Sequence, residues 1–273
     1  MKLVAIGDNV VDFYLDQGLI YPGGNALNVA VSAKRNGAEA CAYIGITGDD
    51  AAALHVLETM SWEGIDAARI RRAYGPNGEA TVTLNEEGDR IFVGTNRGIR
   101  MPSLLQLRLT EEDLTYIGQY DLIHTSVNSD IEHELERLSE WPVSFDFSTS
   151  KRWNEAYLKQ VCPHLAYAFF SGSDMSMADI RDLTAYVHEL GVKVVGVTRG
   201  AEPAQFSVEG IRYEQPPVPA DILDTMGAGD SFIGAFLAAY HGTWKMQEAL
   251  VQAARSAAAT CAHYGAFGYS MKK

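Results

Sequence analysis

The stretch DTMGAGDSFIGAFL spans Asp224–Leu237 and sets two glycines and two carboxylates at the mouth of an apolar helix. Gly227 and Gly229 admit backbone angles that other residues avoid and carry no Cβ to block a ligand. The apolar periodicity begins at Phe232, so the Gly-Ala-Gly-Asp turn, with Ala228 at its centre, lies at a helix N-terminus. Free amide N–H groups and the helix dipole there make an anion site. Such a site suits a phosphoryl group in flight, whose negative charge is spread over its oxygens. Asp230, in the first turn, is placed to take a proton from an attacking hydroxyl. The competing reading is a plain turn whose aspartate satisfies the helix end. The stretch is not a Walker loop, because GxxxxGK[ST] occurs nowhere in the chain, and its spacing is wrong for a GxGxxG dinucleotide turn.

A second glycine-opened helix stands near the other end. In YPGGNALNVAVSAKRNGA, Tyr21–Ala38, a diglycine precedes an amphipathic pattern with Asn25 and Asn28 in its first turn. Asn28 can both donate to and accept from a sugar hydroxyl. Just upstream, AIGDNVVD ends an apolar strand and brings Asp8, Asn9 and Asp12 to its carboxyl end. A carboxylate at that place can grip neighbouring hydroxyls.

Between these stretches, short apolar runs alternate with helical patterns. Strands are expected at Lys2–Gly7, Cys41–Ile46, Asp121–Val127, Val143–Phe147, Leu165–Ser171 and Val192–Thr198. Helices are expected at Asn25–Asn36, Asp50–Glu63, Glu111–Gly118, Ile131–Ser139, Met175–Leu190, Ala228–His241 and Lys245–Tyr264. The strands are too apolar for a half-exposed sheet, and the alternation predicts an α/β fold with a largely parallel sheet. One segment departs from this rhythm. EATVTLNEEGDRIFVG, Glu79–Gly94, has period two around Glu87-Gly88-Asp89, which predicts a β-hairpin standing off the main sheet, with Phe13–Tyr21 as a pairing partner. Its apolar positions Val82, Leu84, Ile91 and Val93 suit either a lid-mediated dimer or packing within the chain.

Composition bounds the function classes. The 273 residues are 47% hydrophobic, enough for one large α/β domain or two small ones. The net charge of −13 argues against tight nucleic-acid binding. No apolar run reaches about 18 residues, so no membrane span is expected. Asp8 interrupts the N-terminal apolar run too early for a secretion signal, and the three scattered cysteines form no CxxC pair; both point to a cytoplasmic protein with reduced thiols.

GGNALNVA early and DTMGAGDSF late, roughly 200 residues apart, resemble the two signatures of the ribokinase-like (PfkB) carbohydrate kinase family. The resemblance extends over nearly the whole chain, through TGDD at Thr47–Asp50, the hairpin and HYGAFG near the C-terminus. It implies one domain over residues 1–273, a three-layer α/β/α sandwich with a largely parallel central sheet and a small β lid from about residues 13–21 and 79–97. It also implies ATP-dependent phosphorylation of a sugar hydroxyl, with Mg²⁺ on the phosphates and, in several members, K⁺. By resemblance Asp230 is the base; Gly227, Ala228 and Gly229 are the anion hole; Asp12, Gly24 and Asn28 hold the sugar. Thr198 and Gly200, in VTRGAEPA, approach ATP, and Asp224 and Gly265 belong to a monovalent-cation site. Three departures stand out. Ser171 and Asp174 occupy the place of the family's Asn-x-x-Glu, leaving Asp174 to reach Mg²⁺ through water. Pro203 replaces a glycine of the nucleotide loop, and the first lid segment is short.

Within the family, the opening residues, YDLIH at Tyr120–His124 and SFDFS at Ser144–Ser148 look most like bacterial fructoselysine 6-kinases, which phosphorylate the 6-hydroxyl of an Amadori sugar. Further substrate candidates are Asn9, His124 and Arg97; for His124 a structural role, and for Arg97 a solvated lid edge, are the alternatives. A family kinase for a nucleoside or simple sugar, or a catalytically silent sugar binder, are the other readings of the whole.

Overall fold

The computed structural model describes residues 1–85 and 90–273. Its strands are β1 (Lys2–Gly7), β2 (Val10–Tyr14), β3 (Leu19–Gly23), β4 (Ala40–Thr47), β5 (Ile65–Asp66), β6 (Arg71–Arg72), β7 (Glu79–Leu84), β8 (Arg90–Thr95), β9 (Leu122–Ser126), β10 (Val143–Thr149), β11 (Tyr167–Ser171), β12 (Val194–Arg199), β13 (Glu202–Val208), β14 (Ile211–Gln215) and β15 (Met271–Lys272). Its helices are α1 (Asn25–Arg35), α2 (Ala51–Trp62), α3 (Met101–Leu104), α4 (Glu111–Ile117), α5 (Leu135–Leu138), α6 (Glu155–Val161), α7 (Met177–Glu189), α8 (Ala228–Tyr240) and α9 (Met246–Thr260).

The main sheet runs β14-β13-β12-β11-β10-β9-β1-β4-β5, with β6 also on β4. From β12 to β4 every neighbouring pair is parallel. Parallel strands need crossovers, and the crossover helices cover both faces. Successive side chains of β1 therefore enter two different cores: Leu3 and Ala5 pack with α1, α2, α8 and α9, while Val4 and Ile6 pack with α4 to α7. The result is a three-layer α/β/α sandwich.

The second sheet, β15-β3-β2-β7-β8, is the lid. Phe13–Tyr21 turns out to be part of a hairpin in its own right, β2 with β3, and β2 joins β7 in parallel. β7 and β8 form the expected antiparallel pair, and the Glu87-Gly88-Asp89 turn lies outside the described residues. Val82 is fully buried, whereas Ile91 and Val93 are exposed.

Other expectations need adjustment. The sheet is closed at one edge by the antiparallel strands β13 and β14, read as neither strand nor helix from sequence. Ile131–Ser139 is a 3-10 turn, Glu132–Glu134, followed by the single turn α5. α6 follows from Asn154, whose side chain caps the Tyr157 amide at 2.9 Å. α9 stops at Thr260, four residues short. Cys41 and Cys162 are buried free thiols, and Cys261 is half-buried. Among the described residues no helix is long and apolar enough to cross a membrane.

Candidate active site

The site depends on how closely two helices cross. Gly234 of α8 lies on α1, where a Cβ would fall 2.6 Å from the Val29 carbonyl oxygen and 2.7 Å from Ser32 Cβ. Ser32 Oγ donates to the Ser231 carbonyl at 2.8 Å. This contact sets the first turn of α8 against the first turn of α1. The N-terminus of α1 has no side-chain cap of its own. Asp8, from the end of β1, supplies one: its carboxylate accepts from the Asn25 and Ala26 amides at 2.9 and 3.2 Å. Gly227 starts α8 in the left-handed conformation, φ 72°.

Asp230 is the third residue of α8 and is half-buried. Asn25 Nδ2 donates to its Oδ1 at 2.7 Å, and Asn28 Nδ2 to its Oδ2 at 2.6 Å. Asn25 Nδ2 also donates to Asp146 Oδ2, 2.6 Å away, and Ser148 N–H donates to the other Asp146 oxygen at 2.8 Å. Asp146 is buried, which pushes its carboxyl up to about 7, with the nearby Asp230 charge adding to the shift. Asn25 Oδ1 faces His124 Nε2 at 3.3 Å, and His124 Nδ1 meets Ser144 Oγ at 2.9 Å. Because the Asn25 amide nitrogen faces two carboxylates, its oxygen must be the acceptor, and His124 carries its proton on Nε2. Burial pushes His124 down to about 3, so it is neutral. It is fully enclosed. His124 therefore meets Asn25 and not the open ligand edge, in keeping with the structural alternative.

The sugar candidates gather beside this pair. Asp12, on β2, is buried, and a Cβ on Gly23 would lie 2.5 Å from its Oδ2 and 3.8 Å from Asn28 Oδ1. The missing side chain thus lets the Asp12 carboxylate lie against the Gly23 backbone, with Asn28 Oδ1 beside it. Asn28 Oδ1 is buried with no hydrogen-bond partner among the described residues. A buried unpaired acceptor costs about 1–3 kcal/mol, which a ligand hydroxyl would relieve. Gly24 has φ 110°, and a Cβ there would meet Asn9 Cα and the Asp8 carbonyl oxygen, both at 2.7 Å. Asn9 gives its Nδ2 to Tyr43 OH and the Ile46 carbonyl at 2.9 and 2.8 Å, so its donors face the interior. Arg97 stands apart on the exposed lid edge, 3.4 Å from Asp130.

The nucleotide candidates lie on neighbouring strand ends. Ser171 pairs with Thr198 across β11 and β12, and Gly200 follows with φ 61°. Thr198 Oγ1 donates to the Phe170 carbonyl at 3.4 Å. A Cβ on Gly229 would meet nothing within 4 Å, so the start of α8 is open to a ligand. Asp174 is exposed and takes a 3.3 Å bond from Ser150 Oγ. Asp224 is fully buried. It accepts from Met226 N–H and Gly265 N–H, each at 2.9 Å, and from Tyr14 OH. Those bonds fix the turn before Gly227. Among the described residues no three His, Cys, Asp or Glu side chains are grouped to hold a metal ion.

The arrangement is a carboxylate at an open helix N-terminus, beside the buried Asp12 and Asn28 and the carboxyl ends of β11 and β12. The model of the pfkB family of carbohydrate kinases matches residues 2–272. The chain belongs to that family. A fructosamine kinase of Bacillus subtilis (strain 168), FrlD, is 53% identical to this pfkB-family chain over 270 residues, covering 98% of it and 94% of the relative. A fructoselysine 6-kinase of Escherichia coli (strain K12) is 30% identical over 266 residues, covering 97% and 99%. An E. coli protein provisionally described as a ribokinase II, in complex with ATP and Mg²⁺, superposes with TM-score 0.80 at 19% identity, over 97% of this chain and 94% of that one. At that identity the likeness concerns the fold.

Sequence reasoning singled out Asp230 and Asn28, left Asn25 without a role, and read Asp8 as a group for sugar hydroxyls and not as the cap of α1. Asn25 had one usable signal, an amide at the first position of a glycine-opened helix.

Proposed function

We propose that the chain is an ATP-dependent kinase for the 6-hydroxyl of a fructosamine, an Amadori sugar of the fructoselysine type. The observation that carries this reading is Asp230, held by two asparagine amides at 2.7 and 2.6 Å next to an open helix N-terminus. Identity of 53% to a fructosamine kinase along nearly the full length supports the substrate class.

In this reading Asp12, Gly24 and Asn28 hold the sugar, with the Asn28 carbonyl oxygen accepting from a hydroxyl. Asp230 accepts the proton of the 6-hydroxyl as its oxygen attacks the γ-phosphorus. The amides of Gly227, Ala228, Gly229 and Asp230 face the charge on the migrating phosphoryl group. Ser171, Thr198 and Gly200 line the nucleotide, with Asn9 and His124 supporting the sugar side from within. Bound Mg²⁺ would supply charge neutralisation at the phosphates, and the exposed Asp174 would be the carboxylate available to hold it. Asp224 spends three acceptor positions on protein donors, and a carboxylate offers about four. The remaining one, with the backbone near Gly265, is where K⁺ fits.

The whole chain works as one unit, residues 1–273, in the cytoplasm, with small molecules as partners and neither nucleic acid nor membrane. Its lid, from about 13–21 and 79–97, also supplies a dimer surface. β8 ends the lid sheet, and Ile91, Phe92 and Val93 on it are 50%, 60% and 57% exposed. Two lids pairing there cover these side chains.

The test is ADP release with Mg-ATP and K⁺, comparing fructoselysine, other fructose–amino acids, fructose, ribose and adenosine. A fructosamine is expected to give the highest kcat/KM. Preference for ribose or adenosine overturns the substrate class, and absence of turnover with all of them overturns the kinase reading.

A further inference from the structure

A cavity of about 340 Å³ opens at the carboxyl ends of β1 and β4, beneath α3, and is lined in part by Asp8, Asn9, Arg100, Asn128 and Asp130. Its volume is within the range of small-molecule sites. It shares a wall with the sugar site. Asp8 lines the cavity, its carboxylate taken up by the Asn25 and Ala26 amides and the Ser126 and Ser129 hydroxyls, and Gly24 abuts Asn9 from the other side.

Arg100 is the unusual group in it. The side chain is half-buried, and its Nε donates to Ser103 Oγ. Its two terminal nitrogens have no hydrogen-bond partner among the described residues. Burial pushes the guanidinium downward, with Asp8 and Asp130 opposing from beyond ion-pair range. A desolvated guanidinium with a free fork is built to receive a planar oxyanion. Asp130 lies at the same cavity, half-exposed and 3.4 Å from Arg97. Cation and anions together on one wall match a zwitterion, which neither fructose nor ribose is.

We propose that this cavity is the subsite for the amino-acid part of the substrate, with the carboxylate on the terminal nitrogens of Arg100 and the ammonium group toward Asp130. The inference rests on the fructosamine reading. It adds that the enzyme selects its substrate by the carboxylate carried at the far end of a side-chain-linked amino acid, as in fructoselysine.

The test compares two substrates that differ only in that group, fructoselysine and fructosylcadaverine, in wild type, Arg100→Met and Arg100→Lys. In wild type fructoselysine is expected to have the higher kcat/KM by roughly tenfold or more, mostly through KM, as for a lost charge-assisted contact. In Arg100→Met that ratio falls toward one, and Arg100→Lys keeps part of it. A wild-type ratio near one overturns the proposal without any variant, as does a ratio that survives in a folded Arg100→Met. If wild type phosphorylates ribose or adenosine and neither fructosylated amine, the fructosamine reading has failed and the subsite with it.

Discussion

The side-chain amide of Asn25 reaches Asp230 at 2.7 Å across 205 residues of chain. That contact joins the first turns of α1 and α8, and it orients the carboxylate on which the proposed chemistry turns. Replacing the carboxylate by its isosteric amide, Asp230→Asn, should leave the fold and ATP binding in place and lower kcat by roughly 10²–10⁴. Steady-state turnover together with a nucleotide-induced thermal shift checks this. Near-normal kcat would remove Asp230 from the role of base.

Asn25→Ala tests the orientation itself. The variant leaves Asp146 and Asp230 facing each other without the shared donor. A hydrogen bond to a charged group contributes about 1.5–3 kcal/mol, so kcat should fall about 10–100-fold. The KM for ATP should change little, because Asn25 belongs to the sugar side. An unchanged kcat with raised KM for sugar would make Asn25 a binding group instead.

Gly24→Ala asks whether the diglycine turn tolerates a side chain. At φ 110° with the new Cβ 2.7 Å from Asn9 Cα and from the Asp8 carbonyl oxygen, the backbone must shift. Strain of about 1–3 kcal/mol is expected, read as a lower urea midpoint. The same shift displaces Asp8 from the start of α1, so activity should drop further than stability. A variant of wild-type stability would show that the turn can relax.

Asp146 predicts a pH dependence of stability. Its folded-state pKa of about 7 is above the ordinary carboxylate value of 3.8, so the folded chain holds the extra proton between those limits. Stability from this group is complete below the lower limit and is lost as pH rises through about 7. The change is on the order of 2–4 kcal/mol. Urea unfolding from pH 4.5 to 8 should show the decline in wild type, and Asp146→Asn should flatten it. Parallel curves for the two proteins would exclude Asp146 as the source.

Much of the molecule was legible because its signals are local. The strand–helix alternation fixes the sandwich, and the Gly-Ala-Gly-Asp turn marks one end of α8 by composition alone. The crossing of α1 over α8 is not local. It depends on Gly234 fitting against Val29 and Ser32, and nothing in either segment states which glycine meets which helix. Asn25 acquires its role only through that crossing. His124 was ambiguous for a related reason: a strand buried on both faces has no polar–apolar alternation to show where a side chain points. β13 and β14 were legible in principle. EPAQFSV and IRYEQ flank a Glu-Gly pair, the pattern of a hairpin, but they follow a strand whose neighbours all suggested helices.

Tyr14 sits on β2, the inner strand of the lid, and its hydroxyl donates to Asp224, the anchor of the turn before α8. Both side chains are buried, at 1% and 0% exposure. The lid is therefore fastened at its root to the same turn that leads into Gly227 and α8. The bond ties the inner strand of the lid to that turn, whereas β7 and β8 lie farther out in the same sheet, so a displacement confined to the outer strands would leave the three bonds to Asp224 in place.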